Sequence, residues 1–149
     1  MADAGFREVA GRIMPQKIVH GYRKLLDEAQ ARVTTLPAAE ARALHGREDV
    51  LFVDLREPKE REREGAMPGA FNCPRGLLEF WIDPESPYAR AEFQADKRFV
   101  FFCGGGWRSA LAADVAGRMG LAPVAHVEGG FKAWLEAGGP VEEGGRRKP

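Results

Sequence analysis

Two short runs without a single polar residue, Val50-Leu51-Phe52-Val53 and Phe99-Val100-Phe101-Phe102, most constrain what this chain can fold into. A strand with one wet face alternates apolar and polar side chains. An unbroken apolar strand must instead be covered on both faces, as in a parallel sheet sandwiched between helices. Each run stops at a residue able to do chemistry, Asp54 after the first and Cys103 after the second. Ligands of open parallel sheets bind at the carboxyl ends of the strands, so both residues stand where a site is expected.

The remainder of the chain supplies helices. Ile18, Val19, Tyr22, Leu25, Leu26 and Ala29 recur at helical spacing between Pro15 and Arg32, predicting an amphipathic helix ahead of the main fold. Pro37 to Leu44 reads as a short helix with proline at its first position, stopped near Gly46. Glu57 to Glu64 is a loop or an exposed helix. The turn-rich Gly65-Ala66-Met67-Pro68-Gly69-Ala70 follows, then a short strand at Phe71, a helix around Leu77 to Trp81 and a polar helical piece between Pro87 and Gln94. Arg98 opens the second buried strand. A helix is expected from Arg108 to Met119, a third strand over Val124 to Val127, a tight turn at Gly129-Gly130 and a last helix from Phe131 to Ala137. This alternation specifies the α/β class: one domain over residues 33–142 with a mainly parallel central sheet flanked by helices. Residues 1–32 form a helical extension and residues 143–149 an untethered tail; a chain of 149 residues suits a single core.

Composition narrows the partners. The 22 basic residues balance the 22 acidic ones, so no overall field favours nucleic acid or an anionic membrane. No apolar run approaches the ~20 residues of a membrane span, and the N-terminus lacks the charged-then-apolar pattern of a signal peptide. The expected location is therefore the cytoplasm. Cys73 and Cys103 stand apart, without a CxxC pair or a Cys/His cluster, which supports neither a disulfide scaffold nor a metal site and leaves two reduced thiols.

The segment Cys103-Gly104-Gly105-Gly106-Trp107-Arg108-Ser109 delivers a thiol from a buried strand to a helix N-terminus. The first amides of a helix have no internal partners and carry roughly half a positive charge, which stabilises a thiolate or another anion held there. Three consecutive glycines let successive amides curl inward as an anion nest, and Trp107 is placed to wall one side of the mouth. Taken alone, the loop admits two readings: a nucleophile, or a glycine-rich turn beside an inert buried cysteine.

Companion motifs bear on that choice. Val53-Asp54-Leu55-Arg56-Glu57, Gly65-Ala66-Met67-Pro68-Gly69-Ala70, the Cys103 loop in the form C-x-x-G-x-R-S, and Glu128-Gly129-Gly130-Phe131-Lys132-Ala133-Trp134 followed by Gly138-Gly139-Pro140 occur in that order. Together they resemble the rhodanese, or thiosulfate sulfurtransferase, family from about Val33 to Val141, with Ala66 where the family usually has histidine. The resemblance implies a persulfide cycle. Cys103 takes a sulfane sulfur from a small-molecule donor or a protein persulfide partner and passes it to a thiophilic acceptor, with no metal or organic cofactor required. Amides from Gly104 to Ser109 would hold the negative charge of the outer sulfur.

Asp54, Arg56 and Glu57 read as loop supports. Arg108 has two candidate roles, aiding an anionic donor or turning inward to pair with Asp54 or Glu57, and the inward role is favoured. Cys73 reads as a packed small side chain ahead of a resolving thiol, His126 as a satisfied core residue, and Phe80, Trp81 and Tyr88 as core ahead of a substrate mouth. Two rival functions stand beside sulfur transfer. A rhodanese-like module could bind or relay sulfur to one protein partner. A cysteine phosphatase or arsenate reductase would use a C-x5-R loop, whereas here four residues separate Cys103 from Arg108, a cradle better sized for one sulfur atom than for phosphate.

Overall fold

The computed structural model describes residues 15–145. Its helices are α1 (Tyr22–Arg32), α2 (Ala38–Leu44), α3 (Pro58–Glu64), α4 (Leu78–Ile82), α5 (Trp107–Met119) and α6 (Gly130–Glu136). Its strands are β1 (Thr34–Leu36), β2 (Val50–Asp54), β3 (Phe71–Asn72), β4 (Arg98–Phe102) and β5 (Val124–Val127). They form one sheet in the order β1-β5-β4-β2-β3, with every neighbouring pair parallel. The two apolar runs are the neighbours β2 and β4, with Phe52 beside Val100 and Val53 beside Phe101.

Alternate side chains of these strands enter two different cores. Leu51, Val53, Phe99 and Phe101 face Leu78 and Ile82 of α4 and Ala112, Ala113 and Ala116 of α5. Phe52, Val100 and Phe102 face Ala41 of α2 and Phe131 and Trp134 of α6. Both faces are thus covered, which is why the period-two alternation of a half-wet strand is missing from the sequence.

Several elements differ from their sequence reading. The first helix begins at Tyr22 and not at Pro15; Ile18 and Val19 lie ahead of it, 69% and 84% exposed. Only Leu26 and Ala29 of α1 are buried, and its end is tied to α5 by two hydrogen bonds from Arg32 to the Asp114 carboxylate, 2.8 and 2.7 Å. The part of the extension before residue 15 lies outside the described residues. Strand β1 has no counterpart in the reading, because a three-residue edge strand with exposed threonines carries no apolar period. The helix expected before Gln94 is only a 3₁₀ turn, Ala91–Gln94. The chain past Glu142 is also less free than expected. Glu142 and Ala66 exchange backbone hydrogen bonds of 2.9 and 2.8 Å, and Gly144 is buried against the Arg61 backbone. Residues 146–149 of the expected tail lie outside the described residues.

Candidate active site

Cys103 follows directly on β4, and its side chain is 1% exposed. Gly106 caps α5 with a φ of +108°, a left-handed conformation that a side chain would resist. That turn directs the Gly106 amide at the sulfur, 3.1 Å away, while the Ser109 amide approaches at 3.4 Å and the Ser109 hydroxyl oxygen lies 3.5 Å off. The sulfur therefore sits over the opening turn of a 13-residue helix, where unpaired amides and the helix dipole favour negative charge. Of the six loop residues singled out in the sequence, Gly106 and Ser109 reach the sulfur through hydrogen bonds. Gly105, Trp107 and Arg108 border an open cavity of about 250 Å³ in front of it. Trp107 is 60% exposed and leans on Tyr22 of α1, with ring centroids 5.1 Å apart.

The loop is held from behind by α6. The Phe131 amide donates to the Cys103 carbonyl at 2.7 Å and the Lys132 amide to the Gly104 carbonyl at 3.3 Å. This approach requires Gly130. Its φ is +60°, and a Cβ there would overlap the carbonyl oxygen of Cys103 and stand 2.7 Å from that of Gly104. Asp54 and Arg56, both fully buried, fix the same region. The Asp54 carboxylate accepts the Arg56 backbone amide at 3.0 Å and two guanidinium bonds at 3.0 and 2.8 Å. The guanidinium also donates to the Gly65 carbonyl at 2.9 Å and lies 4.0 Å above the Phe131 ring. The strand end, the Gly65 turn and α6 are thereby joined.

Arg108 does turn inward, but its partner is neither Asp54 nor Glu57. Asp54 is occupied by Arg56, with Arg61 at 3.4 Å, and Glu57 caps α3 in a reciprocal capping box with Glu60. Glu60 is the residue that meets Arg108, through two hydrogen bonds of 2.8 and 2.9 Å. These bonds, opposed in part by burial, lower the Glu60 pKa from 4.5 to about 2. The same Glu60 bonds raise the Arg108 pKa, as does the neighbouring Cys103 sulfur. Sequence reasoning passed over Glu60. The signal was the capping box itself, since Glu57-Pro58-x-Glu60 fixes a helix start and places Glu60 on its first turn.

His126 is satisfied, as expected of a core residue, yet it joins the site. It is 2% exposed, with Nδ1 at 3.0 Å from the Ser109 hydroxyl and Nε2 at 3.1 Å from the Thr35 hydroxyl. Cys73 is fully buried in the apolar core, and burial pushes its thiol up to about 12; it is the packed side chain expected. Trp81 packs between Phe71 and Arg90, while Phe80 and Tyr88 are exposed, at 57% and 67%. Ala66 is buried on the turn that pairs with Glu142. No described helix is long and apolar enough to cross a membrane.

The fold and site define a class: an α/β domain that holds one cysteine under the amides of Gly106 and Ser109, between a central strand and a helix. The chain belongs to the rhodanese-like domain family, whose family model matches residues 37–137. A solved structure from Rhodopseudomonas palustris, described as a protein of unknown function and a possible tyrosine phosphatase, is 60% identical with a TM-score of 0.85. The match covers 87% of this chain and 99% of that one. The thiosulfate:glutathione sulfurtransferase of Homo sapiens is 30% identical over 112 residues, 71% of this chain and 96% of the human protein. The mouse thiosulfate sulfurtransferase/rhodanese-like domain-containing protein 3 is 30% identical over 101 residues, and the match spans 64% of each protein. The domain is of the rhodanese sulfurtransferase type.

Proposed function

We propose that the protein moves a sulfane sulfur from a donor to a thiophilic acceptor through a persulfide on Cys103. The observation that carries this reading is the sulfur's setting, one buried atom receiving the amides of Gly106 and Ser109. In the first half-reaction the Cys103 thiolate attacks the outer sulfur of the donor. A new S–S bond forms as the donor's own bond to that sulfur breaks, and the donor leaves with the electron pair as sulfite or a thiolate. In the second, the acceptor attacks the outer sulfur and Cys103 departs as thiolate. The loop amides stabilise the charge that appears on sulfur at each stage. Asp54, Arg56, Glu57 and Glu60 act as supports, and the domain comprises residues 33–142 with α1 as an extension packed on α5.

The possible phosphatase activity attached to the Rhodopseudomonas palustris relative is a second reading with less in its favour. A phosphate needs a free guanidinium and a wider loop, whereas Arg108 is engaged by Glu60 at 2.8 and 2.9 Å and only four residues separate it from Cys103. Intact mass after incubation with thiosulfate or glutathione persulfide separates the two. The expected gain is one sulfur atom, about 32 Da, removed by dithiothreitol and absent in Cys103→Ser. Full turnover by Cys103→Ser, or a phosphoryl adduct in place of a sulfur one, would overturn the proposal.

A further inference from the structure

We propose that Ser109, His126 and Thr35 form a hydrogen-bonded chain that turns the Ser109 hydroxyl toward the Cys103 thiolate, making His126 a positioning residue for that thiolate. The inference rests on Cys103 being the nucleophile. At 1% exposure its thiol meets solvent only through the cavity in front of it, and it must lose its proton before it can attack. A continuous path leads away from it. The sulfur is 3.5 Å from Ser109 Oγ, that oxygen is 3.0 Å from His126 Nδ1, and Nε2 on the far side of the ring is 3.1 Å from Thr35 Oγ1. Thr35 is exposed, and with His126, Gln30 and Glu128 it lines a solvent-open cavity of about 300 Å³.

The path works with a neutral ring, which is the form burial favours by lowering the His126 pKa against the opposing charge of Glu128. A neutral imidazole carries one N–H and has two arrangements. In one, the thiol donates to Ser109, Ser109 to Nδ1, and Nε2–H to Thr35. In the other, Thr35 donates to Nε2, Nδ1–H to Ser109, and Ser109 to the thiolate. Passing from the first to the second breaks the S–H bond and leaves its electron pair on sulfur. One proton moves at each step, and the Thr35 hydroxyl proton goes to a solvent base. No charge is left on the imidazole.

The second arrangement also aims the Ser109 hydroxyl. That hydroxyl has a competing acceptor in the Gly106 carbonyl at 3.3 Å, and a donor on Nδ1 frees it for the sulfur. Two charged groups lie nearby. Arg108 of α5 faces the sulfur but is neutralised by Glu60 of α3, and Glu128 follows β5 beside the ring. At the cavity α1 contributes the uncharged Gln30 and β1 the hydroxyl of Thr35, and α6 bonds the loop through backbone amides.

The test is the pH profile of iodoacetamide alkylation on the reduced full-length chain. Cys103→Ser provides the blank, and Cys73, with its thiol pushed up to about 12, stays silent near neutrality. His126→Phe should move the midpoint up by about one unit and slow alkylation at neutral pH about tenfold, the effect of one lost hydrogen bond to an ion. His126→Asn, which keeps an N–H in the place of Nδ1–H, should recover most of that shift. His126→Phe should add nothing in a Ser109→Ala background if it acts through Ser109. A folded His126→Phe with the wild-type profile, or an equal shift in both backgrounds, would overturn the positioning role. Should His126→Phe fail to fold, Thr35→Val at the far end carries the test: an upward shift supports the hydrogen-bonded chain and an unchanged profile refutes it. Alkylation uses no sulfur donor, so its outcome is independent of whether the protein transfers sulfur.

Discussion

Replacing Glu60 by Gln isolates the one ion pair that fixes Arg108 at the mouth of the site. The Glu60 carboxylate accepts two bonds from Arg108, 2.8 and 2.9 Å, and its Oε2 also accepts the Glu57 amide at 2.8 Å. Gln retains the volume and an acceptor for that amide, but removes the charge and sets an NH2 donor against one Arg108 N–H. The Glu60 pKa falls from 4.5 to about 2, which at about 1.4 kcal/mol per unit sets a ceiling of about 3.5 kcal/mol on the stabilisation. The Arg108 side chain is 40% exposed, and solvent screening reduces the expected loss to about 1–2 kcal/mol. The sign follows from the direction of the shift. A carboxyl with a depressed folded-state pKa stabilises fully above its unfolded value, here 4.5, and the contribution is lost as pH falls toward about 2. Thermal unfolding of wild type and Glu60→Gln across that range is the assay. At neutral pH the variant should melt about 2–8 °C lower, and the gap should close on acidification. Equal melting temperatures at neutral pH, or a gap indifferent to pH, would refute the reasoning.

Two further outcomes follow from the supports of the loop. Asp54→Asn leaves the fully buried Arg56 guanidinium without its counter-charge and should cost about 3–5 kcal/mol in denaturant unfolding; a loss below about 1 kcal/mol would show that Gly65 and Phe131 suffice to hold Arg56. Gly130→Ala places a methyl group against the carbonyls of Cys103 and Gly104 at a φ of +60°, and should lower stability by more than about 1 kcal/mol and slow Cys103 alkylation. Gly105→Ala, with open space where its Cβ would sit, is the control expected to leave stability unchanged, and equal losses in the two variants would remove the packing argument.

Much of the architecture is legible in the chain because its signals are local. Strands β2 and β4 announce themselves as unbroken apolar runs because both of their faces are covered. The turn at Gly106 and the start of α5 are likewise legible, since the contacts from Cys103 to Gly106 and Ser109 span three and six residues. Elements whose stability comes from distant partners leave no such trace. Strand β1 exists because Thr34 to Leu36 can pair with β5, and α1 is held by Arg32 reaching Asp114 across 82 positions.

The same division runs through the site. By itself the sequence determined that a thiol would meet the amides of a helix N-terminus, because a strand, a glycine-rich turn and a helix in succession leave the chain little else to do. Only the tertiary structure decided which charge answers Arg108 and what lies behind Ser109. The strand order β1-β5-β4-β2-β3 sets the ends of β2, β4 and β5 side by side. Glu60 thereby reaches Arg108 across 48 positions, and Thr35 reaches His126 across 91. Such pairings depend on how strands are ordered in space, and local periodicity carries no record of that order.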